Sequence, residues 1–143
     1  MKLELKKIKK SQVSVEYMLL IGFVTVITVP LIIIYHSFIQ ESNDDITSAQ
    51  LNQIAGKIVD AAESVYYLGE PSQTTLKANI PDNVVAVNLS AGYELAFKIR
   101  TKAGNNDITR NSAVNITGSL PKNKGLYTIT VKAKSNYVEV SYS

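Results

Sequence analysis

The chain has 143 residues, enough for about one domain of typical size, with no cysteine and a single histidine, His36. These counts exclude disulfides and thiolate metal sites and leave little for a zinc site or a His-based catalytic triad. Five of the 15 basic residues lie in positions 1–11 with one acid, which leaves 10 basic and 11 acidic residues beyond them. The net charge of +3 therefore belongs to the amino terminus, and neither an enzyme, a cofactor nor a nucleic-acid partner is expected.

The first predicted element is a hydrophobic helix. No residue from Tyr17 to Gln40 carries a formal charge, and this apolar stretch is longer than the ~20 residues with which an α-helix crosses a bilayer. A secretory signal peptide has an apolar region of only about 7–15 residues. The stretch therefore predicts a transmembrane helix, with its lysine-rich end in the cytoplasm and the rest of the chain outside.

Three side chains within or near the end of the apolar stretch stand out. Pro30 removes one helical hydrogen bond and predicts a kink, which is either a packing feature or a point of flexibility. Tyr35 and His36 lie toward the outer end, where amphipathic side chains are typical of the membrane interface.

Helical periodicity continues beyond the apolar stretch. Apolar residues recur at spacings of three and four, which predicts one packing face: Leu51, Ile54, Ile58, Ala61, Val65 and Leu68. Gly69 is a typical helix stop, and Pro71 prevents continuation. We therefore expect one helix over residues 12–69, membrane-spanning in its first half and amphipathic in its second.

A short motif precedes the apolar stretch. Gln12, Ser14, Glu16 and Tyr17 match all four specified positions of Q-x-S-x-E-[YF], directly after a lysine-rich leader. This arrangement resembles the class III signal peptide of euryarchaeal type IV pilin precursors. The resemblance implies that a prepilin peptidase removes residues 1–11 by cleavage between Ser11 and Gln12.

Glu16 would then be the fifth residue of the mature chain. A carboxylate entering an apolar helix is costly and usually has a partner. The resemblance implies pairing with the terminal amine of a neighbouring subunit, unless Gln12 cyclises to pyroglutamate, which leaves only a hydrogen bond. The alternative is a carboxylate solvated among the leader lysines at the cytoplasmic interface.

The periodicity changes to two after Pro71, which predicts a β-domain over residues 70–143. Apolar and polar residues alternate in 93–100, 127–134 and 138–142 and, over shorter runs, in 85–89 and 114–116. Turn signals separate these runs at 81–83, 91–92, 104–106, 121–125 and 135–136. We expect an α+β fold, in which a small antiparallel sheet or sandwich packs on the second half of the helix because it lacks a sufficient core of its own.

Two N-glycosylation sequons fall in the predicted β-domain. They begin at Asn88 and Asn115, and alternation with apolar neighbours predicts that both asparagines face solvent. Each is either a glycan acceptor or an ordinary exposed strand residue.

These features together predict a structural subunit of a surface filament used for adhesion. The expected partners are further copies of the chain, the prepilin peptidase, the membrane before assembly and, by family resemblance, an assembly ATPase and platform. The alternatives are a monomeric membrane-anchored β-domain that binds a ligand, or a minor pilin-like component.

Overall fold

The computed structural model describes residues 2–89 and 92–143, with side chains from residue 14 onward. Its elements, in chain order, are α1 (Lys2–Leu68), β1 (Gln73–Ile80), β2 (Val84–Asn88), β3 (Gly92–Thr101), β4 (Gly104–Gly118), β5 (Gly125–Ala133) and β6 (Val138–Tyr142). The chain divides into two compact units, Met1–Glu41 and Ser42–Ser143. The predicted α+β class is confirmed, with the sheet packed on the second half of the helix.

The part of α1 in the first unit is rich in valine, isoleucine and threonine. These β-branched residues have modest helix propensity in water, but a helix satisfies every backbone group within one segment, as a bilayer requires. The hydroxyl of Thr25 donates to the carbonyl oxygen of Ile21 at 2.8 Å, so this polar group is satisfied within the helix as well. The helix continues through Pro30, and the kink stays a prediction.

The helix ends where the sequence indicates. The N–H of Gly69 donates to the carbonyl oxygens of Val65 and Tyr66, both at 3.1 Å, and Gly69 has φ 79°. A positive φ at this position is the usual glycine termination of an α-helix, since glycine has no Cβ to clash there. The chain then leaves the helix direction and enters β1.

The six strands form one sheet in the order β1-β5-β6-β4-β3-β2. All pairs are antiparallel except β4 and β6, which are parallel. The prediction of an antiparallel sheet is therefore wrong for this pair. Strands β4 and β5 follow each other in the chain but are not neighbours in the sheet, because β6 lies between them. The β5–β6 hairpin brings β6 beside β4, where it runs in the same direction as β4.

The sheet is strongly curled. Its edge strands β1 and β2 are joined only by residues 81–83, whose chain spans at most about 14 Å from Ile80 to Val84. In a flat sheet, five strand spacings would separate these edges by about 24 Å. The two edges therefore approach each other, and the N–H of Arg100 in β3 donates to the carbonyl oxygen of Asn83 in the connecting turn at 2.9 Å.

One hydrophobic core joins α1 to every strand except β2, whose Val84 and Val87 pack against it from the edge. The buried helix residues are Leu51, Ala55, Ile58, Val59, Ala62 and Val65. The largest buried side chain of the sheet is Phe97. Each fully buried large apolar side chain contributes roughly 1.5–3 kcal/mol of transfer free energy, which explains why the sheet and the second half of the helix form one unit.

The packing face differs from the predicted one. Leu51, Ile58 and Val65 are buried, and Ile54 and Ala61 are half-buried against the core, but Leu68 is 76% exposed. Leu68 follows Leu51 by 17 positions, which at about 100° per residue places it about 100° away around the helix. A strict three-four spacing drifts around a straight helix, so assigning Leu68 to the packing face was wrong.

Two carboxylates of the helix accept hydrogen bonds from the sheet and one of its turns. Asp44 accepts a hydrogen bond from the backbone N–H of Lys102 in the β3–β4 turn at 2.9 Å. Glu63 accepts one from the backbone N–H of Ala113 in β4, also at 2.9 Å. Both bonds join residues fifty or more positions apart in the sequence, and hydrogen bonds to an ionised acceptor are stronger than neutral ones.

Candidate assembly helix and surface asparagines

The helix surface of the first unit is apolar on every side. Its large side chains are mostly more than half exposed, including Met18 at 75% and Phe23 and Leu19 at 69%. An amphipathic helix of a soluble domain would present only one apolar stripe to a core. A helix that is apolar all round requires lipid or other apolar helices around it. This helix is long and apolar enough to cross a membrane.

The described residues of the motif that precedes the apolar stretch lie on this helix. Ser14, Glu16 and Tyr17 are exposed helical residues, and the ring of Tyr17 is among the exposed large side chains. The side chains of Ser11 and Gln12 lie outside the described residues, so the geometry of the expected cleavage site is not part of the structure.

Glu16 has no ion-pair or hydrogen-bond partner among residues 14–89 and 92–143. A lone carboxylate one residue before an uncharged apolar stretch requires a cation or a donor from elsewhere when it is removed from water.

Aromatic and polar side chains occur toward the carboxyl-terminal end of the apolar stretch. Tyr35 is 64% exposed, and His36 is exposed beside it on the helix. In the part of the chain whose side chains are described, no three potential metal ligands come together, so His36 belongs to no cluster of that kind.

The two sequon asparagines have different surroundings. Asn88 is exposed at the end of edge strand β2, and Ser90 of its sequon lies outside the described residues. Asn115 as a whole residue is half-buried, but its side-chain oxygen is fully buried and has no hydrogen-bond partner among the described residues.

Asn115 is thus less open to solvent than alternation with apolar neighbours predicts, although it lies on the expected face. Alternation places Asn115 on the face opposite Val114 and Ile116, but β4 is an inner strand with β3 on one side and β6 on the other. An inner strand has a neighbouring strand on each side, so its side chains are covered by neighbouring side chains more than those of an edge strand are. The sequence alternation gives the face of a residue but not its distance from the sheet edge.

Sequence reasoning did not identify the carboxylate contacts of Asp44 and Glu63. Both residues lie in a polar helical pattern that is also typical of a solvated face. The only signal in the sequence was an excess of acids in residues 42–70, which hold five acidic side chains and one basic one.

No family model matches the chain, and no curated protein or solved structure is similar enough to indicate a relationship. A functional proposal for this chain therefore rests on its own sequence and structure.

Proposed function

We propose that the chain is the precursor of a type IV pilin, a structural subunit that polymerises through its amino-terminal helix into a cell-surface filament for adhesion. The observation that carries the proposal is the motif Gln12-x-Ser14-x-Glu16-Tyr17, placed directly before an uncharged helix that is apolar on every side. A membrane anchor needs the apolar helix but has no use for the motif.

Cleavage before Gln12 converts a membrane-inserted precursor into an assembly-competent subunit. The leader carries five of the chain's 15 basic residues, and these hold the amino terminus on the cytoplasmic side. Once the leader is gone, the apolar helix can exchange lipid contacts for contacts with the same helix of other copies. Hydrophobic burial changes little in that exchange, so packing and polar interactions decide the register.

Glu16 supplies the polar interaction. Its carboxylate would meet the new terminal amine of a neighbouring copy, or the N–H of a pyroglutamate if Gln12 cyclises. A subunit inserted with the wrong stagger leaves both groups unpaired in an apolar environment, which is strongly unfavourable. The pair therefore acts mainly as a register device. The β-domain, residues 70–143, would lie on the outside of the filament.

The decisive experiment is mass spectrometry of the protein from sheared cell-surface filaments, combined with electron microscopy of a Glu16→Ala strain. The expected mature chain begins at Gln12, and Glu16→Ala is expected to be processed normally but to give no filaments. Glu94→Ala, which removes an exposed carboxylate of the sheet, serves as the matched control and should assemble normally.

One result would refute the proposed function, and another would refute only the role of Glu16. An intact Met1 in a chain that stays in the membrane, with no filament fraction, would establish a monomeric anchor instead. Normal filaments from Glu16→Ala would remove Glu16 from the assembly mechanism.

A further inference from the structure

Charge in the second unit is divided between its helix and its strands. Residues 42–70 carry five acidic side chains and one basic one, whereas residues 71–143 carry nine basic and four acidic ones. Three of the five helix-side acids, Asp44, Glu63 and Glu70, accept hydrogen bonds from groups of the sheet and its turns. These three carboxylates thus accept hydrogen bonds within the fold, and the excess of positive charge lies on the sheet.

Part of this charge lies on one open surface of the sheet. In β1, β5 and β6, alternate residues are buried in the core, so the intervening ones face away from α1. We call the following set the lysine–hydroxyl face: Lys77, Lys132, Thr75, Thr130 and Ser141. The strand register places Thr75 opposite Thr130, and Thr130 opposite Ser141, which makes a continuous row of hydroxyls across three strands.

The two lysines of this face have no carboxylate partner among the described residues. The acid on the same surface, Glu139, lies opposite Lys132 in the β5–β6 register, and its carboxylate pairs with Lys134 at 3.5 Å. One carboxylate therefore faces two lysines there, and Lys77 has no acid opposite it. Lys77 lies opposite Thr128 and Lys132 lies opposite Gln73. The two lysine Cα atoms are therefore four residues apart along the strands and one strand apart across them, a separation of about 14 Å.

We propose that the lysine–hydroxyl face binds an extended anionic polysaccharide. A polymer lying across the strands can contact both lysines and the whole hydroxyl row at once, whereas a single small anion is too short to contact all of these groups. Threonine and serine hydroxyls both donate and accept hydrogen bonds, as sugar hydroxyls do. The face contains no aromatic side chain on which bases could stack, which favours a carbohydrate over single-stranded nucleic acid.

The test uses the full chain in phosphatidylcholine nanodiscs, which cover the apolar helix, and does not depend on filament assembly. Binding to polygalacturonate is measured against neutral dextran and a thirty-residue oligothymidylate. The wild type is expected to bind polygalacturonate and not dextran, with a Kd that rises steeply between about 50 and 200 mM NaCl. Lys77→Gln/Lys132→Gln should raise the Kd about 25-fold, or roughly fivefold for each charge removed.

The matched control is Lys102→Gln/Arg110→Gln, which removes the same charge from exposed positions in the β3–β4 turn and in β4. It should change the Kd by less than about threefold, and thermal unfolding should be unchanged in both double variants. Equal losses in the two variants, absence of wild-type binding, or binding insensitive to salt would each overturn the proposal. Tighter binding of oligothymidylate, lost in Lys77→Gln/Lys132→Gln, would replace the polysaccharide by nucleic acid.

Discussion

Truncation of Ile58 and Leu68 to alanine separates the observed packing face from the one that sequence spacing predicts. Both residues belong to the same three-four pattern, but Ile58 is fully buried and Leu68 is 76% exposed. If the helix packs as observed, only the first truncation leaves a cavity in the core. We therefore expect a large loss of stability for Ile58→Ala and almost none for Leu68→Ala.

The magnitudes follow from burial. Replacing a fully buried isoleucine by alanine costs about 2–5 kcal/mol, the sum of lost transfer free energy and the cavity left behind. An exposed substitution away from such features changes the free energy of unfolding by no more than about 0.5 kcal/mol. The second unit has about one hundred residues, for which 1 kcal/mol corresponds to roughly 4–8 °C in Tm, so Ile58→Ala should lower the Tm by at least about 8 °C.

The assay is thermal unfolding of the full chain in detergent, followed by near-ultraviolet circular dichroism of the tyrosines, which reports tertiary packing. Ala62→Leu provides a second variant, because Ala62 is fully buried but does not belong to the predicted face. Its added methylenes should overpack the core at a cost of about 1–3 kcal/mol. Equal losses for Ile58→Ala and Leu68→Ala, together with a neutral Ala62→Leu, would refute the observed helix orientation.

Three further outcomes are expected. Glu63→Leu should lower the free energy of unfolding by about 1 kcal/mol, because the N–H of Ala113 loses its acceptor, while Glu63→Gln keeps an acceptor oxygen and should recover most of the loss; chemical denaturation that finds the two variants equal would contradict this. Gly118→Ala should cost about 2 kcal/mol or more in the same assay, since its φ is +131° and a Cβ would overlap the carbonyl oxygen of the neighbouring strand; an unchanged midpoint would show that the β4–β6 pairing is wrong. Peptide mass spectrometry of surface material should find higher N-glycan occupancy on Asn88, which is exposed on an edge strand, than on half-buried Asn115, and higher occupancy of Asn115 would contradict the placement of β4 inside the sheet.

Several strands could be predicted from the sequence because the alternation of apolar and polar residues within each of them is a local property. The runs at 93–100, 127–134 and 138–142 coincide with β3, β5 and β6, and most of their alternating apolar residues are buried, but Tyr93 and Tyr142 are exposed. Strand β1 was not predicted. Its inward-facing residues include Thr74 and Ala78, which give a weak apolar signal, and its pairing with β5 joins residues far apart in the sequence.

The full length of β4 could not be predicted from the sequence either. Only 114–116 showed alternation, and 104–106 were predicted to be a turn, whereas the strand begins at Gly104 and the preceding turn lies at residues 102–103. Asn105 and Asn106 are exposed and pair with Arg100 and Ile99 of β3. Backbone hydrogen bonding to a neighbouring strand extends β4 through residues whose side chains carry no strand pattern.

The uncharged apolar stretch, the glycine at the helix end and the period-two runs are local properties, so the sequence by itself determined the long helix, its ability to span a membrane and the strand-rich remainder. Which side of the helix is buried, the parallel pairing of β4 with β6 and the covering of Asn115 depend on contacts between residues far apart in the chain. Only the tertiary structure decided these, because several helix faces and strand orders bury similar apolar area, and the choice among them rests on how all the side chains pack together.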